Sequence, residues 1–149
     1  MKNKKIIYVI LIILALFVIF FAYKENSYKP INGIKNFKYS YFGGWITKNN
    51  VFYEVKCNNK CKANIRIAEM ESKEFTLNDK TVKKLVALLN KYQVSKWDGY
   101  NRRSSSTDLA SFSLEIDTND NKEIKAYGYG YFPRNHDKFK EELIELLSI

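Results

Sequence analysis

The chain has little of what most enzyme and metal sites are built from. Its 149 residues include one histidine, two cysteines, two prolines and six glycines. A structural zinc site needs four cysteine or histidine ligands, so this set is too small for one. No glycine-rich loop has the spacing that cradles a phosphate, and the three consecutive serines do not lie in a nucleophile elbow. The composition therefore predicts no metal and no bound cofactor, and it does not favour an enzyme.

The single histidine, His136, is the residue on which any histidine-dependent mechanism would rest. Its neighbour Asp137 cannot orient it, because adjacent residues of a helix do not face each other. We therefore expect an exposed histidine without a catalytic role, near the start of the last helix.

Acidic residues are missing from the start of the chain, which begins MKNKK and continues as an apolar run from Ile6 to Tyr23. The run of 18 residues would form a helix of about 27 Å, which matches the hydrocarbon core of a bilayer. The sequence predicts a cytoplasmic tail over 1–5, a single transmembrane anchor over 6–23 and an extracytoplasmic location for the rest. A cleaved signal peptide is the alternative, although no small-residue cleavage site follows the run.

The two cysteines, Cys57 and Cys61, stand in the segment CNNKC between two strand-like runs. A turn of three residues places them opposite each other on neighbouring strands, within reach of a disulfide. Disulfides persist in oxidising compartments, so the pair favours a location outside the cytoplasm. Free thiols are the alternative, whereas the spacing does not match the Cys-x-x-Cys of redox sites.

Positive charge exceeds negative charge by nine, and the excess is unevenly distributed. Residues 24–62 contain eight lysines and two glutamates, whereas residues 63–149 contain fourteen basic and fourteen acidic residues. A basic segment beside a membrane is attracted to anionic headgroups or wall polymers. Singly spaced lysines are also typical of a solvated linker. No nucleic-acid recognition motif accompanies the charge, so we expect no nucleic-acid partner.

The periodicity of the remaining chain predicts a stalk over 24–36 and one domain over 37–149. Three alternating segments precede an amphipathic helix, for which Asn78 is the expected N-cap, and two more strands precede the last helix. The order β-β-β-α-β-β-α predicts an α+β fold, in which an antiparallel sheet of four or five strands packs one face against two helices. The expected core residues are Ile65, Ile67, Leu85, Leu89, Phe112, Leu114, Ile116, Ile124, Phe139, Leu143 and Leu147.

The segment YGYGYF has a tyrosine at every second position. Strand alternation places all three tyrosines on the same side as Lys125, which predicts that this side is open to solvent. We expect the intervening glycines to let a helix approach the other side. A row of tyrosines suits stacking on sugar rings or anchoring of a protein partner. Pairing with tyrosines of neighbouring strands is the purely stabilising alternative.

A polar segment from Lys96 to Asp108 follows the first helix and contains a tryptophan and two adjacent arginines. Long loops of this kind are often functional. We therefore predict a binding surface that combines this segment with the tyrosine strand. Its expected residues are Tyr127, Tyr129, Tyr131, Trp97, Arg102 and Arg103.

The region of about residues 92–147, which contains KWDGY, the hairpin and the last helix, resembles uncharacterised extracytoplasmic domains of membrane-anchored proteins and lipoproteins of Gram-positive bacteria. The shared pattern is a tryptophan after a helix, an alternating hairpin, and a glycine and a proline before a helix with an early phenylalanine. The matching residues are Trp97, Gly128 or Gly130, Pro133 and Phe139. The chain departs from the pattern just before the proline, where two aromatic residues replace a small polar turn. The resemblance implies an extracellular domain and transfers no catalytic residue.

Together these patterns predict a single-pass, membrane-anchored binding module without catalysis, which contacts a protein partner or an envelope polymer. An enzyme acting on an envelope substrate is one alternative, and it requires His136, Asp98 or the serines Ser104–Ser106 to converge in one pocket. An immunity or inhibitor protein is another, and it requires a co-encoded toxin or enzyme. We assign no oligomeric state.

Overall fold

The computed structural model of the chain describes residues 12–17, 28–44, 50–68 and 70–147. Residues 12–17 are helical, and the residues from 28 onwards form an α+β fold. The strands are β1 (Ile34–Phe42), β2 (Val51–Cys57), β3 (Cys61–Ile67), β4 (Lys73–Leu77), β5 (Asn101–Arg103), β6 (Ser111–Thr118) and β7 (Glu123–Tyr129). The helices of this fold are α1 (Asp79–Lys91), a short 3-10 helix (Val94–Trp97) and α2 (His136–Leu147).

The seven strands form one mixed sheet in the order β4-β3-β2-β1-β6-β7-β5. All neighbouring strands are antiparallel except β5 and β7, which run parallel. β1 lies at the centre, where its pairing with β6 joins the N-terminal meander to the C-terminal hairpin. This pairing places Ser40 opposite Ser113 and so decides which outward-facing residues become neighbours.

One face of the sheet is covered by α1 and α2 and forms the core. Asn78 caps α1 as predicted, because its side-chain oxygen accepts a hydrogen bond from Thr81 N at 2.8 Å. The cap starts a helix that directs Leu85 and Leu89 onto the sheet, while α2 contributes buried residues such as Phe139. All of the expected core residues are buried except Ile67, which is half-buried.

The expected fold class is correct in being α+β and wrong in its sheet. The sheet is mixed and has seven strands, rather than four or five antiparallel ones. β4 has only two apolar residues on its inner face, the half-buried Phe75 and the buried Leu77, and all three residues of β5 are exposed. Both are edge strands, and they form because the strand beside them offers unpaired backbone groups.

The expected transmembrane helix before the domain is not found, and this part of the expected fold class is also wrong. Among the described residues, no helix is long and apolar enough to cross a membrane. Of the predicted anchor over 6–23, only residues 12–17 are described, as helix. The predicted tail over 1–5 lies outside the described residues.

The second half of the predicted stalk packs against the domain. Ile31 is buried, and its backbone N–H and carbonyl each hydrogen-bond the Asn90 side chain at 2.8 Å. The Tyr28 hydroxyl donates to the same side chain at 2.6 Å. These bonds tie residues 28–33 to the end of α1, so the packed part of the chain begins before residue 37.

The predicted disulfide between Cys57 and Cys61 is confirmed. The two residues are partners in the β2–β3 register, at the closed end of the hairpin. The three residues between them form the turn, so the covalent bond fixes the register of the two strands it joins.

Candidate binding face

The open face of the sheet is the one opposite α1 and α2, and its residues lie in rows across the strands. The rows nearest the disulfide hairpin are charged and locally balanced. Lys38 lies between Glu54 and Glu115, at 3.8 and 3.9 Å. The other ion pairs of these rows are Lys56–Glu54 at 2.9 Å, Lys62–Glu74 at 3.0 Å and Lys125–Glu123 at 2.6 Å.

The next two rows of the open face contain aromatic residues and serines in place of charges. In the first of them, the strand register aligns Phe52 with Ser40, Ser40 with Ser113, and Ser113 with Tyr127. The following row contains three residues, which are again aromatic residues and a serine. The aromatic–serine strip is defined here by both rows: Phe52, Ser40, Ser113 and Tyr127, with Phe42, Ser111 and Tyr129.

The strip has the shape of a shallow trough with aromatic ends and a hydroxyl floor. Phe52 and Tyr127 are three strand spacings apart, which is about 14 Å. Between them, the Ser40 and Ser113 hydroxyl oxygens are 2.8 Å apart and hydrogen-bonded. An open depression lies at the Phe52 end and another at the Tyr127 end, and each is lined by the serine nearest to it.

An arginine stands at each end of the strip. The guanidinium carbon of Arg66 is 5.7 Å from the centre of the Phe52 ring, and that of Arg103 is 4.9 Å from the centre of the Tyr127 ring. Both arginines are exposed, and neither lies within ion-pair distance of a carboxylate among the described residues. A guanidinium that rests on a ring still presents N–H groups that can bind a carboxylate or a phosphate.

Of the three tyrosines predicted to form a row on the open face, only Tyr127 and Tyr129 lie there. β7 ends at Tyr129, and Gly130 has a φ of 72°, which breaks the alternation. Tyr131 is exposed, but it follows this turn, and its carbonyl lies against Gly128 on the helix-covered face. The expectation that the glycines let a helix approach is wrong, because a Cβ at Gly128 would meet the Tyr131 carbonyl and the Phe112 ring.

The predicted loop residues separate onto different parts of the molecule. Arg103 shares the open face with Tyr127, whereas Arg102 lies on the opposite face with its guanidinium 5.8 Å from the Tyr100 ring centre. Adjacent strand residues point to opposite faces, so the two arginines cannot act on one surface. Trp97 is only 5% exposed and packs edge-on against the core, so it does not contribute to the open face.

His136 is buried, with 1% of its surface exposed, and the expectation of an exposed histidine is wrong. Its ring centre is 4.5 Å from that of Phe112 and 4.7 Å from that of Phe132. Its Nε2 atom is 3.1 Å from the Tyr39 hydroxyl oxygen. Burial lowers the pKa of His136 to about 4, although Asp137 acts in the opposite direction, so the ring is neutral at pH 7.

The groups named by the enzymatic alternative do not meet in one pocket. The ring nitrogens of His136 face Tyr39 and Asp137. Asp98 instead accepts a hydrogen bond from the Lys125 backbone N–H at 3.0 Å, and Ser104 accepts one from the Ser106 N–H at 3.2 Å. Within the described part of the chain, no cluster of His, Cys, Asp and Glu could hold a metal ion.

Six residues of the strip and its ends were not predicted as site residues: Phe42, Phe52, Arg66, Ser40, Ser111 and Ser113. Each follows or precedes a residue of its strand that is buried in the core or packs against it, so alternation alone indicates that it points away from the core. Alternation does not indicate that Ser40 meets Ser113, because that contact joins positions 73 residues apart in sequence.

Comparison with protein-family models and with curated proteins gives no match. The function of the open face is therefore argued from its own geometry.

Proposed function

We propose that this domain is a non-catalytic binding module, located outside the cytoplasm, that contacts an envelope polymer through the aromatic–serine strip. The observation that carries the proposal is the presence of two half-buried aromatic rings at the ends of a row of serine hydroxyls, on the sheet face opposite α1 and α2. Rings of this kind offer rigid apolar area, and the hydroxyls offer hydrogen bonds to the same ligand.

The form of the strip favours a chain-like ligand over a small molecule. Sites for small molecules are concave and enclose most of the ligand surface. The strip is shallow instead, and it extends across four neighbouring strands from Phe52 to Tyr127. A polymer can lie along such a surface, with sugar rings stacked on the aromatic ends and its hydroxyl groups bonded to the serines.

The disulfide supports the extracytoplasmic part of the proposal, because the cysteines of most cytosolic proteins are kept as free thiols. Intact cells are treated with a membrane-impermeant maleimide before and after reduction. We expect labelling of Cys57 and Cys61 only after reduction by an impermeant reductant. Labelling that requires cell lysis would contradict this location, whereas labelling of intact cells without reduction would contradict the disulfide.

Co-sedimentation of the full-length chain with purified insoluble envelope glycan tests the binding surface. Tyr127→Ser removes the ring at one end of the strip, and we expect binding at least about tenfold weaker, as for a central aromatic contact. The matched control is Tyr131→Ser, which removes an exposed tyrosine that lies outside the strip. This control is expected to bind like the unchanged chain.

Wild-type affinity in a folded Tyr127→Ser variant would remove the strip from the proposal. Folding of both variants is checked by the cooperativity of thermal unfolding. If the material that retains the chain loses this capacity on protease treatment, the ligand is a protein and the proposal of an envelope polymer is wrong.

A further inference from the structure

We infer that the ligand of the aromatic–serine strip is an acidic saccharide chain, whose carboxylates are bound at the two ends by Arg66 and Arg103. This inference rests on the proposed function and specifies its ligand. It depends on three features of the open face: the distribution of its uncompensated charge, the position of each guanidinium on a ring, and the separation of the two arginine–aromatic pairs.

The lysines in the charged rows of the open face are paired with glutamates, whereas the arginines at the strip are not paired with any described carboxylate. Each lysine of the charged rows lies within 4 Å of a glutamate, so those rows offer little net charge to a ligand. Arg66 and Arg103 instead have no carboxylate of the described residues within that distance. The two arginines therefore favour an anionic ligand at the ends of the strip, with Glu71 as the one carboxylate that lines the depression beside Phe52 and Arg66.

Each end of the strip combines the two groups that a sugar acid requires. The Tyr127 ring supplies a flat surface for the apolar face of a sugar, and Arg103, 4.9 Å away, supplies parallel N–H donors for its carboxylate. Phe52 and Arg66 repeat this arrangement at the other end, at 5.7 Å. A neutral glycan would use only the rings, whereas an acidic peptide would use only the guanidinium groups.

The separation of the two ends sets the minimum size of the ligand. The strand positions of the two aromatic residues are about 14 Å apart, so a single sugar cannot contact both side chains. The floor between them contains the Ser40 and Ser113 hydroxyls and no charged side chain in the same row. The ligand is therefore a chain of several sugars with acidic groups at more than one position, lying across β1 and β6.

The test measures binding of the full-length chain to a defined oligogalacturonate. The comparison ligands are the same oligomer after reduction of its carboxyl groups to alcohols, and polyglutamate. Arg66→Gln and Arg103→Gln are each expected to weaken oligogalacturonate binding about tenfold, and together about a hundredfold, because the two sites are too far apart to interact.

Arg102→Gln provides the matched control. It removes the same charge from the adjacent residue of β5, but on the other face of the sheet, and we expect binding within about twofold of the unchanged chain. Arg103→Lys keeps the charge and loses the planar fork, so its affinity is expected between those of the unchanged chain and Arg103→Gln.

The outcomes separate the inference from the proposed function. Equal binding of the reduced and the acidic oligomer, with a Tyr127→Ser effect but no arginine effect, would overturn the acidic ligand and leave the binding strip standing. Equal losses in Arg102→Gln and Arg103→Gln would show attraction by net charge alone and would also overturn the inference. Binding of polyglutamate in preference to the saccharide would replace the saccharide by an acidic peptide. Failure to bind any of these ligands or envelope glycan would refute both proposals.

Discussion

Tyr39 and Tyr127 are strand tyrosines of the same sheet, and they lie on opposite faces in very different surroundings. Tyr39 is fully buried, and its ring packs edge-on against Phe139 with 5.7 Å between the ring centres. Its hydroxyl contacts His136, and burial raises its pKa far above the usual tyrosine range. Tyr127 is half-buried, and the Arg103 guanidinium lies over its ring. Identical side chains therefore contribute to stability on one face and remain available for binding on the other.

The two faces differ in the same way as a whole. The helix-covered face holds an aromatic cluster around a buried neutral histidine, with the rings of Trp97, Phe112 and Phe132 against it. The open face holds ion pairs in which at least one side chain is exposed, and such pairs contribute little to stability because water screens them. Substitutions on the first face should therefore reduce the free energy of unfolding, and those on the second should change binding.

Phe139→Ala should give the largest loss of stability. The side chain is fully buried and contacts the rings of Tyr39, Tyr92 and Trp97. Its truncation is expected to lower the free energy of unfolding by about 4 kcal/mol, as for large core aromatics, measured by urea denaturation. Phe52→Ala on the open face is the counterpart, and its loss should be about 1 kcal/mol because the ring is only half-buried. Similar losses for the two variants would contradict the contrast between the faces.

Acid should destabilise the helix-covered face through His136. The pKa of His136 is about 4 in the folded protein and near 6.5 in the unfolded chain, so the unfolded state binds the proton first. The contribution of His136 to the free energy of unfolding is fully present above about pH 6.5. It is lost as the pH falls towards 4, by about 3 kcal/mol in total. The charged groups beside the ring are Asp137, which favours its protonation, and Lys140, which opposes it.

The measurement is the urea midpoint as a function of pH, for the unchanged chain and for His136→Gln. Carboxylates titrate in both proteins, so the difference between the two curves isolates the histidine. The curves should diverge in slope below about pH 6.5. Parallel curves over the whole range would show that the ring becomes protonated without cost and is not sealed from water.

Gly128→Ala should cost about 2 kcal/mol, in the range of overpacked cores. The added methyl group would meet the Tyr131 carbonyl and the Phe112 ring on the helix-covered face. Ser113→Ala on the opposite face removes only the hydrogen bond to Ser40, with an expected loss of about 1 kcal/mol or less. Thermal unfolding of the two variants ranks them. A neutral Gly128→Ala would mean that the segment after Gly130 moves aside without strain.

Tyr127→Ser should have the smallest effect on stability, below about 1 kcal/mol, as for a cross-strand contact on a solvated face. Its partners in the register are Ser113 and Asn101, so no aromatic pair is broken. The same variant is expected to lose most of its glycan binding, which is the reverse of the pattern for Phe139→Ala. A loss of stability comparable with that of Phe139→Ala would show that Tyr127 mainly stabilises the fold.

Much of the fold could be predicted from short-range patterns. The Asn78 cap, the disulfide turn and the alternation of β1, β3, β6 and β7 depend on residues a few positions apart, and each occurs as expected. The edge strands could not be predicted in this way. Asn101–Arg103 has no buried residue, and it becomes a strand only because β7 has an unpaired edge beside it.

The candidate site was predicted only in part, for a related reason. Alternation correctly places Tyr127 and Tyr129 on the solvent side of their strand. It cannot place Phe52 and Arg66 on the same surface, since these belong to strands that meet β7 only through β1 and β6. The burial of His136 was missed for the same reason, because its aromatic neighbours come from distant segments and converge only in the folded core.

The sequence by itself determined the helices, the hairpin disulfide and the side of each regular strand that faces water, because these depend on interactions within about one turn or one hairpin. Only the tertiary structure decided which outward-facing residues became neighbours. The pairing of β1 with β6 brings Ser40 to Ser113, and the parallel pairing of β5 with β7 brings Arg103 to Tyr127. Strand order is set by how the whole core packs, and the aromatic–serine strip exists as one surface because of that order.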